Sequence, residues 1–374
     1  MIRTLLLFVA LVLGGCATAP NEPEPSRPLW GGLTPGPHRV GFDLSWTEDG
    51  SRPGWNGGKR PIQVWRWYPA RPGGERMTLL DYGRLSATEA GAPSGWMSDE
   101  SSVFAIGEDA LPAGGREKLA AIIAGAARSA PAARGRYPLI VMGPGWSYES
   151  PVNQHLLAEY LASRGYVVVA APLTGAAQLK AAVTPADFDA QVRDIDFLID
   201  RFKAHPSVDP SRIGLFGFDL GGMSAVAAAT GRDDVDAVVG FDTGVIAQSL
   251  IDQLLTPRGV RFSELQVPYL HATRPTAENV ARRLPPETLA IFENAPAERL
   301  LVRVPGMRHA DYALPGALEG VYPAFWGPVP ENPAPKLQAL IQTAGAFFDR
   351  HLKDDDTPLS PPPPLTLQSW PAAR

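Results

Sequence analysis

The stretch Gly217-Phe218-Asp219-Leu220-Gly221 decides the fold of this chain. It follows a short apolar run, Arg212–Phe216, and precedes a run of small residues, Met223–Thr230, that predicts a tightly packed helix. A strand, a sharp glycine turn and a helix in this order are typical of a nucleophile elbow, whose central side chain projects from the turn. Serine usually occupies the centre of that motif, and here the residue is aspartate.

The elbow lies within a regular alternation of predicted strands and helices. The strands are short, continuous apolar runs, as expected for strands that are buried on both faces of a parallel sheet. This alternation predicts an α/β fold with a mainly parallel central sheet and helices on both faces. The predicted strands are 138–142, 166–172, 212–216, 235–241, 268–273 and 300–304, and the predicted helices are 154–164, 185–204, 223–230 and 336–352.

The sequence predicts one large domain over residues 36–353, which is long enough for a substantial core. Two runs rich in Val, Ile, Trp and Tyr, His38–Trp46 and Pro61–Tyr68, predict a hairpin that opens the sheet. Residues 70–135 do not follow the alternation. We interpret them as an insertion at the mouth of a pocket, with a domain boundary as the alternative. Residues 354–374 are proline-rich and predict a disordered tail.

The N-terminus has the features of a targeting segment. Arg3 precedes an apolar stretch, and Leu13-Gly14-Gly15-Cys16 resembles a bacterial lipobox that ends at the only cysteine of the chain. In this interpretation residues 1–15 are a signal peptide, Cys16 carries the lipid that anchors the protein, and residues 16–35 are a tether. Ala17, instead of aspartate, resembles the sorting pattern of outer-membrane lipoproteins, which places the chain on the periplasmic side. An ordinary signal peptide with a chance cysteine is the alternative.

Composition argues against several classes of function. The net charge is −5 and no basic run occurs, so nucleic acid is not an expected partner. After the targeting segment, no stretch is long and apolar enough to cross a bilayer. The histidines and carboxylates show no zinc-like spacing, so we expect neither a metal nor a cofactor.

Three side chains at predicted strand ends form a candidate catalytic set. Asp219 stands at the elbow, Asp242 ends the next strand, and His309 follows the last one. Catalytic groups of open α/β sheets collect beyond the carboxyl ends of the strands, and nucleophile, acid and histidine follow each other in this order. Each residue also has a structural interpretation: a helix N-cap for Asp219, a solvated loop carboxylate for Asp242 and a structural histidine for His309.

A glycine loop after the first parallel strand, Gly143-Pro144-Gly145-Trp146, is positioned to supply an oxyanion hole. In such a site one backbone N–H comes from this loop and the other from the residue after the nucleophile. The predicted donors are therefore Trp146 and Leu220. Ser147 and Ser224 lie nearby in sequence, but neither has the exposure that the elbow gives to its central residue.

Beyond these motifs, the chain resembles α/β-hydrolases of the dienelactone-hydrolase-like and platelet-activating-factor-acetylhydrolase-like groups. The resemblance covers about residues 36 to 350 and is carried by three stretches. It implies a hydrolase with a serine nucleophile, an acid and a histidine. Asp242 and His309 match in type, Asp219 matches in position only, and Pro144 stands where histidine is usual. The three stretches are Gly36–Gly41 leading to Val64–Pro69, Tyr137–Ala170, and the loop Gly306–Tyr312.

Aspartate at the elbow changes the expected chemistry. Attack of a carboxylate on a carbonyl gives an unfavourable anhydride, whereas displacement at saturated carbon gives an ester that histidine-activated water can hydrolyse. The expected substrate is a small or lipid-like molecule. The resemblance implies an ester, whereas the chemistry of a carboxylate nucleophile implies a molecule with an electrophilic saturated carbon.

Dehalogenase-like or epoxide-hydrolase-like chemistry also requires donors for the leaving group. The candidate donors are Trp146, Tyr148, Tyr312 and Trp326. A silent pseudo-hydrolase that serves as a binding or interaction lipoprotein is the alternative function.

Overall fold

A computed structural model of the protein describes residues 28–55, 57–86, 113–146, 150–274, 292–293, 295–325, 328–329 and 331–373. Its strands form one sheet in the order β11-β10-β9-β8-β7-β5-β6-β2-β1-β4-β3. The strands are β1 (Arg39–Pro53), β2 (Lys59–Ala70), β3 (Glu75–Thr78), β4 (Ile123–Arg128), β5 (Tyr137–Gly143), β6 (Val167–Ala170), β7 (Val208–Phe218), β8 (Ala237–Phe241), β9 (Tyr269–Thr273), β10 (Arg299–Arg303) and β11 (Thr366–Trp370).

Helices pack on both faces of this sheet. The described helices are α1 (Leu79–Ser86), α2 (Gly115–Ala121), α3 (His155–Ser163), α4 (Pro185–Lys203), α5 (Leu220–Thr230), α6 (Leu314–Leu318) and α7 (Ala334–Leu352). Short helical turns follow β8, at Gln248–Leu250 and Ile251–Leu255, and His309–Tyr312 forms a 3-10 turn after β10.

The six strands from β5 to β10 are parallel and form the centre of the sheet. Most of their residues are buried, which explains their continuous apolar sequence. One hydrophobic core lies between the sheet and helices α3 and α7, and a second lies between the sheet and helices α4 and α5. The predicted fold class is confirmed: this is an α/β-hydrolase fold.

The predicted hairpin is present as β1 and β2, which pair antiparallel and join the sheet through β6. Since β1 runs parallel to the central strands, the hairpin turn lies at their carboxyl edge. Arg60 on β2 is buried and anchors this turn by donating hydrogen bonds to Asp194 on α4 and to the Gly175 carbonyl.

Residues 70–135 extend the sheet beyond the hairpin, at the end opposite β11. β4 pairs in parallel with β1, and β3 pairs antiparallel with β4 as the edge strand. The backbone groups of β1 therefore find partners on both sides, which a separate domain would not provide. Residues 87–112 of this predicted insertion lie outside the described residues.

The prediction of a disordered tail is wrong for Thr366–Trp370, which form the edge strand β11 paired antiparallel with β10. Pairing satisfies backbone groups of β10 that an edge strand would leave open. Leu365 is buried, and the Trp370 ring lies 5.0 Å from that of Phe292. A proline-rich composition did not prevent this short segment from burying apolar surface.

The predicted tether also needs correction at its C-terminal end. Leu29, Trp30 and Leu33 are buried, and Trp30 Nε1 donates a hydrogen bond of 3.2 Å to Glu159 on α3. This end of the tether belongs to the folded domain because its apolar side chains pack against it. The signal peptide and Cys16 lie outside the described residues, and no helix within the described ranges is long and apolar enough to cross a membrane.

His271 on β9 makes the stability of this core sensitive to acid. It is fully buried, its Nδ1 contacts the Tyr269 hydroxyl at 2.9 Å, and its Nε2 has no hydrogen-bond partner among the described residues. Burial lowers the pKa of His271 from 6.5 to about 4. Between these values the unfolded chain binds a proton that the folded chain does not, so stability falls as the pH falls.

We predict that wild type loses up to roughly 3 kcal/mol of unfolding free energy through His271 when the pH is lowered across this window. His271→Phe should flatten the pH dependence measured by urea unfolding, because the variant has no group to protonate there. His38→Phe, at a half-buried histidine, is the matched control. Equal slopes for wild type and His271→Phe would contradict the assignment.

Candidate active site

The elbow places Asp219 between β7 and α5 in a backbone conformation that residues other than glycine rarely adopt. Its φ is 53° and its ψ is −129°. The turn closes only because neighbouring positions lack side chains: a Cβ on Gly217 would lie 2.3 Å from the Gly221 carbonyl oxygen. A strained non-glycine residue at such a turn is typical of a functional position.

The Asp219 carboxylate faces two different environments. Its Oδ2 accepts a hydrogen bond of 3.1 Å from the Trp146 backbone N–H, and its Oδ1 lies 3.6 Å from His309 Nε2. Asp219 makes no capping hydrogen bond to α5, so the N-cap interpretation does not describe this side chain. The structure thus brings the predicted elbow carboxylate, the predicted loop donor and the predicted histidine together.

His309 is held in one orientation. Its Nδ1 lies 2.7 Å from Asp242 Oδ2, and its ring stacks on Phe218 with centroids 4.8 Å apart. Since the Asp242 carboxylate can only accept, Nδ1 carries the proton of this hydrogen bond, and Nε2 is the ring nitrogen that faces Asp219. The loop is fixed behind the ring, where Asp311 accepts a hydrogen bond of 2.6 Å from the Arg308 N–H.

Asp242 follows β8 and is surrounded by donors. Besides His309, Thr273 Oγ1 lies 3.3 Å from its Oδ1 and Arg274 Nε lies 3.1 Å from its Oδ2. Burial opposes ionisation, but the hydrogen bond from His309 and the charge of Arg274 outweigh it and lower the pKa of Asp242. Asp242 is therefore the ionised partner that orients the imidazole.

Burial has the opposite outcome at Asp219. It raises the pKa of this carboxyl group, and the counteracting effects of His309 and of the Leu220 and Trp146 N–H groups only partly offset it. Two carboxylates on one histidine thus have pKa values shifted in opposite directions. Environments that separate paired titratable groups in this way are characteristic of sites in which the groups have different roles.

A cavity of about 260 Å³ opens onto these residues. The described residues of 70–135 are not among its lining residues, and residues 87–112 of the predicted insertion lie outside the described ranges. Within the described ranges, no group of three or more histidine, cysteine or carboxylate side chains is arranged to hold a metal ion. The cavity is lined by Asp219, Asp242, Gly244, Ile246, Thr273, Arg274 and His309.

Gln191 on α4 supports the donor loop, and the sequence analysis missed it. Its Oε1 accepts from Trp146 Nε1 at 3.1 Å and from the Ser224 hydroxyl at 2.7 Å, while its Nε2 donates to the Pro144 carbonyl at 2.8 Å. The Ser224 hydroxyl is thus engaged by Gln191, and Ser224 is not among the lining residues of the cavity. A glutamine at a helix position that Phe188 and Ile195 predict to be buried was the available signal.

The candidate leaving-group donors are placed unevenly. The indole of Trp146 is engaged by Gln191, and Tyr312 is fully buried and does not line the cavity. Tyr148, Trp326 and the alternative nucleophile Ser147 lie outside the described residues. Arg274, which the sequence analysis did not single out, lines the cavity instead.

Comparison with known proteins agrees with this architecture. Residues 123–256 match the profile described as the Dienelactone hydrolase family, a range that includes Asp219 and Asp242 but ends before His309. This match supports a hydrolase of that type. No curated protein matches the chain.

A ferulic acid esterase from Streptomyces cinnamoneus is similar in structure, with a TM-score of 0.65 and 23% sequence identity. The match covers 90% of this chain and 98% of the esterase chain. At this level of identity, the likeness is evidence for the shared α/β-hydrolase fold.

We predict that Gln191→Leu destabilises the protein by about 2 to 3 kcal/mol, because a similar volume without polar atoms leaves buried partners unsatisfied. It should also accelerate hydrogen exchange at the Trp146 amide, since the loop loses its support. Urea unfolding and amide exchange by NMR measure the two effects. Gln253→Leu, which removes an exposed bond to the Val183 carbonyl, is the control. Unchanged Trp146 exchange in Gln191→Leu would remove the supporting role.

Proposed function

We propose that this protein is a hydrolase in which Asp219 attacks an electrophilic carbon of a small or lipid-like substrate. The orientation of the Asp219 carboxylate carries this proposal. One oxygen is held by the Trp146 N–H at 3.1 Å, and the other lies beside His309 at the open cavity. This arrangement leaves a single oxygen, Oδ1, as the attacking atom.

The same orientation disfavours acyl transfer of the serine type. In that reaction the Trp146 and Leu220 N–H groups would bind the oxygen of a substrate carbonyl. Here Asp219 Oδ2 already accepts from Trp146, so a substrate carbonyl would have to displace the nucleophile's own oxygen. Attack at the carbonyl would also leave an anhydride on the enzyme, whereas attack at saturated carbon leaves an ordinary ester.

In the first step, Asp219 Oδ1 forms a bond to the substrate carbon, and the leaving group departs with the electron pair of the broken bond. The attacking species is the ionised carboxylate, so this step transfers no proton to or from the nucleophile. The raised pKa of Asp219 means that burial weakens the solvation of this carboxylate. A less solvated carboxylate is a stronger nucleophile, so its environment assists the attack.

In the second step, His309 Nε2 removes a proton from water, and the resulting hydroxide attacks the Asp219 carboxyl carbon. Negative charge then develops on Oδ2, where the Trp146 and Leu220 N–H groups stabilise it. The tetrahedral intermediate expels the original Oδ1 together with the substrate carbon as an alkoxide, which takes the proton from His309 and leaves as the alcohol. Asp242 stabilises the imidazolium that exists between these two transfers. One oxygen atom from water remains in the Asp219 carboxyl group, which releases its proton to solvent and is restored as a carboxylate.

A single turnover in heavy-oxygen water tests this route. We predict that one heavy oxygen enters the elbow peptide at Asp219, as detected by mass analysis after digestion, and that Asp219→Asn lowers turnover by at least about a hundredfold. Asp209→Asn, at a partly exposed carboxylate near the start of the same strand, is the control and should match wild type. Turnover that leaves the elbow peptide unlabelled, or that survives Asp219→Asn, would exclude Asp219 as the nucleophile.

The alternatives to this proposal are ester hydrolysis and a catalytically silent site. The variant Asp219→Ser helps to distinguish them from the proposed reaction. The His309–Asp242 pair and the Trp146 and Leu220 donors remain in place in this variant. Gain of activity toward short para-nitrophenyl esters would indicate that only the nucleophile distinguishes this site from a serine esterase. A wild type that binds ligands but turns over neither alkyl electrophiles nor esters would support the pseudo-hydrolase alternative.

We further propose that Cys16 is lipidated and anchors the domain to the outer membrane on its periplasmic side. The lipobox-like sequence and the position of the only cysteine support this assignment. A lipid anchor of this kind requires no membrane-spanning helix. The anchor would hold the cavity near lipid-like substrates.

We predict that Cys16→Ala moves the protein from the membrane fraction to the soluble periplasmic fraction when the full chain is expressed in a Gram-negative host. The variant lacks the thiol that accepts the lipid, while the folded domain is unchanged. Fractionation with metabolic labelling by a fatty acid measures both properties. Ala17→Ser keeps the cysteine and should remain in the membrane fraction. Labelled, membrane-bound Cys16→Ala protein would contradict the assignment.

A further inference from the structure

Arg274 is a cation in the wall of the candidate active site to which the mechanism above gives no role. It is the first residue after β9 (Tyr269–Thr273), and its side chain is 39% exposed. It lines the same cavity as Asp219 and His309. A guanidinium in a small cavity that also contains the nucleophile is positioned to contact the substrate.

Arg274 contacts Asp242 through its backbone and through one nitrogen of its guanidinium. The backbone N–H lies 3.5 Å from Asp242 Oδ1, and the side-chain Nε lies 3.1 Å from Asp242 Oδ2. Among the residues that the structure describes, the two terminal nitrogens have no hydrogen-bond partner. Asp242 thus orients the group, and the edge that can bind an anion through two parallel hydrogen bonds stays available.

We propose that Arg274 is the anion-binding residue of this cavity, and that the substrate presents a single negative charge to it. The inference rests on the proposed function and specifies the substrate class. The charge has two sources with the same chemistry: a carboxylate that the substrate carries, or the anion that departs from the attacked carbon. In both cases it binds to the terminal nitrogens of Arg274.

The spacing of the strands fits this assignment. Asp219, Asp242 and Arg274 follow the consecutive strands β7, β8 and β9. Neighbouring strands lie about 4.8 Å apart, which separates the backbone positions of Asp219 and Arg274 by roughly 10 Å. A carbon in contact with Asp219 Oδ1 can therefore carry an anionic group on its far side that reaches the guanidinium.

The charges of the cavity lead to the same conclusion. Two of its lining side chains are carboxylates, and both repel an incoming anion. Arg274 is the cation that the described lining provides, and it stands two strands away from the nucleophile. An anionic group is therefore favoured at Arg274, which orients the substrate with its electrophilic carbon toward Asp219.

Arg274 could instead act only as a structural partner of Asp242, and a matched pair of ligands distinguishes the two roles. Propionate and its neutral analogue propionamide have nearly the same shape. We expect Arg274→Gln to weaken propionate binding roughly tenfold and to leave propionamide unchanged, because only the anion loses a charge-assisted hydrogen bond. Arg274→Lys should restore part of the affinity. Saturation-transfer NMR with each ligand measures these effects.

Arg261→Gln is the control for a change of overall charge, since Arg261 is exposed and pairs with Glu264 outside the cavity. It should bind propionate as wild type does. Equal propionate affinity in wild type and Arg274→Gln, or an equal loss for propionate and propionamide, would overturn the proposal. Equilibrium binding requires no turnover, so it stays informative even if the labelling experiment removes Asp219 from catalysis.

Turnover then identifies the source of the charge. With bromoacetate and bromoacetamide as the pair, a substrate carboxylate at Arg274 predicts that Arg274→Gln raises KM for bromoacetate alone. If the leaving anion binds to Arg274, Arg274→Gln should have a lower kcat than wild type for both compounds. It should also bind bromide more weakly, which broadens the bromide NMR signal less. Each result supports an anion at Arg274 and differs only in where that anion originates.

Discussion

The hydrogen bond from the Trp146 N–H to Asp219 Oδ2 is the constraint on which the rest of the site depends. It distinguishes two otherwise equivalent oxygens and leaves Oδ1 at the cavity. It exists because the elbow strains the Asp219 backbone to a positive φ and because Gln191 holds the opposite loop. Geometry that is fixed by backbone and by buried polar contacts needs little reorganisation during a reaction.

The two carboxylates that flank the His309 imidazole have different electrostatic environments. Asp242 is surrounded by donors and remains ionised, whereas Asp219 has fewer donors and a pKa that burial raises. The same cavity places the Arg274 guanidinium against Asp242, which gives that carboxylate a cationic neighbour in addition to its hydrogen bond with His309. In the mechanism that we propose, this arrangement stabilises an imidazolium on one side and presents a poorly solvated carboxylate on the other.

Much of this could be predicted from local patterns. The continuous apolar runs and the glycines around Asp219 specify a parallel sheet with an elbow, and the order Asp219, Asp242, His309 matched the order of strand ends. Gln191 and Arg274 were missed because their roles arise from neighbours that are distant in the chain. The tail was mispredicted because composition measures the tendency to fold alone, whereas β11 forms by completing an existing sheet edge.

The sequence by itself determined the fold class, the chemical type of the elbow residue and the identity of the histidine and acid that could serve it. These features follow from side-chain periodicity and from motifs that span a few residues. Tertiary structure alone decided which Asp219 oxygen faces the cavity, how its pKa compares with that of Asp242, and where Arg274 lies. Those properties depend on distances and burial between segments far apart in the chain, and these are set only when the strands assemble side by side.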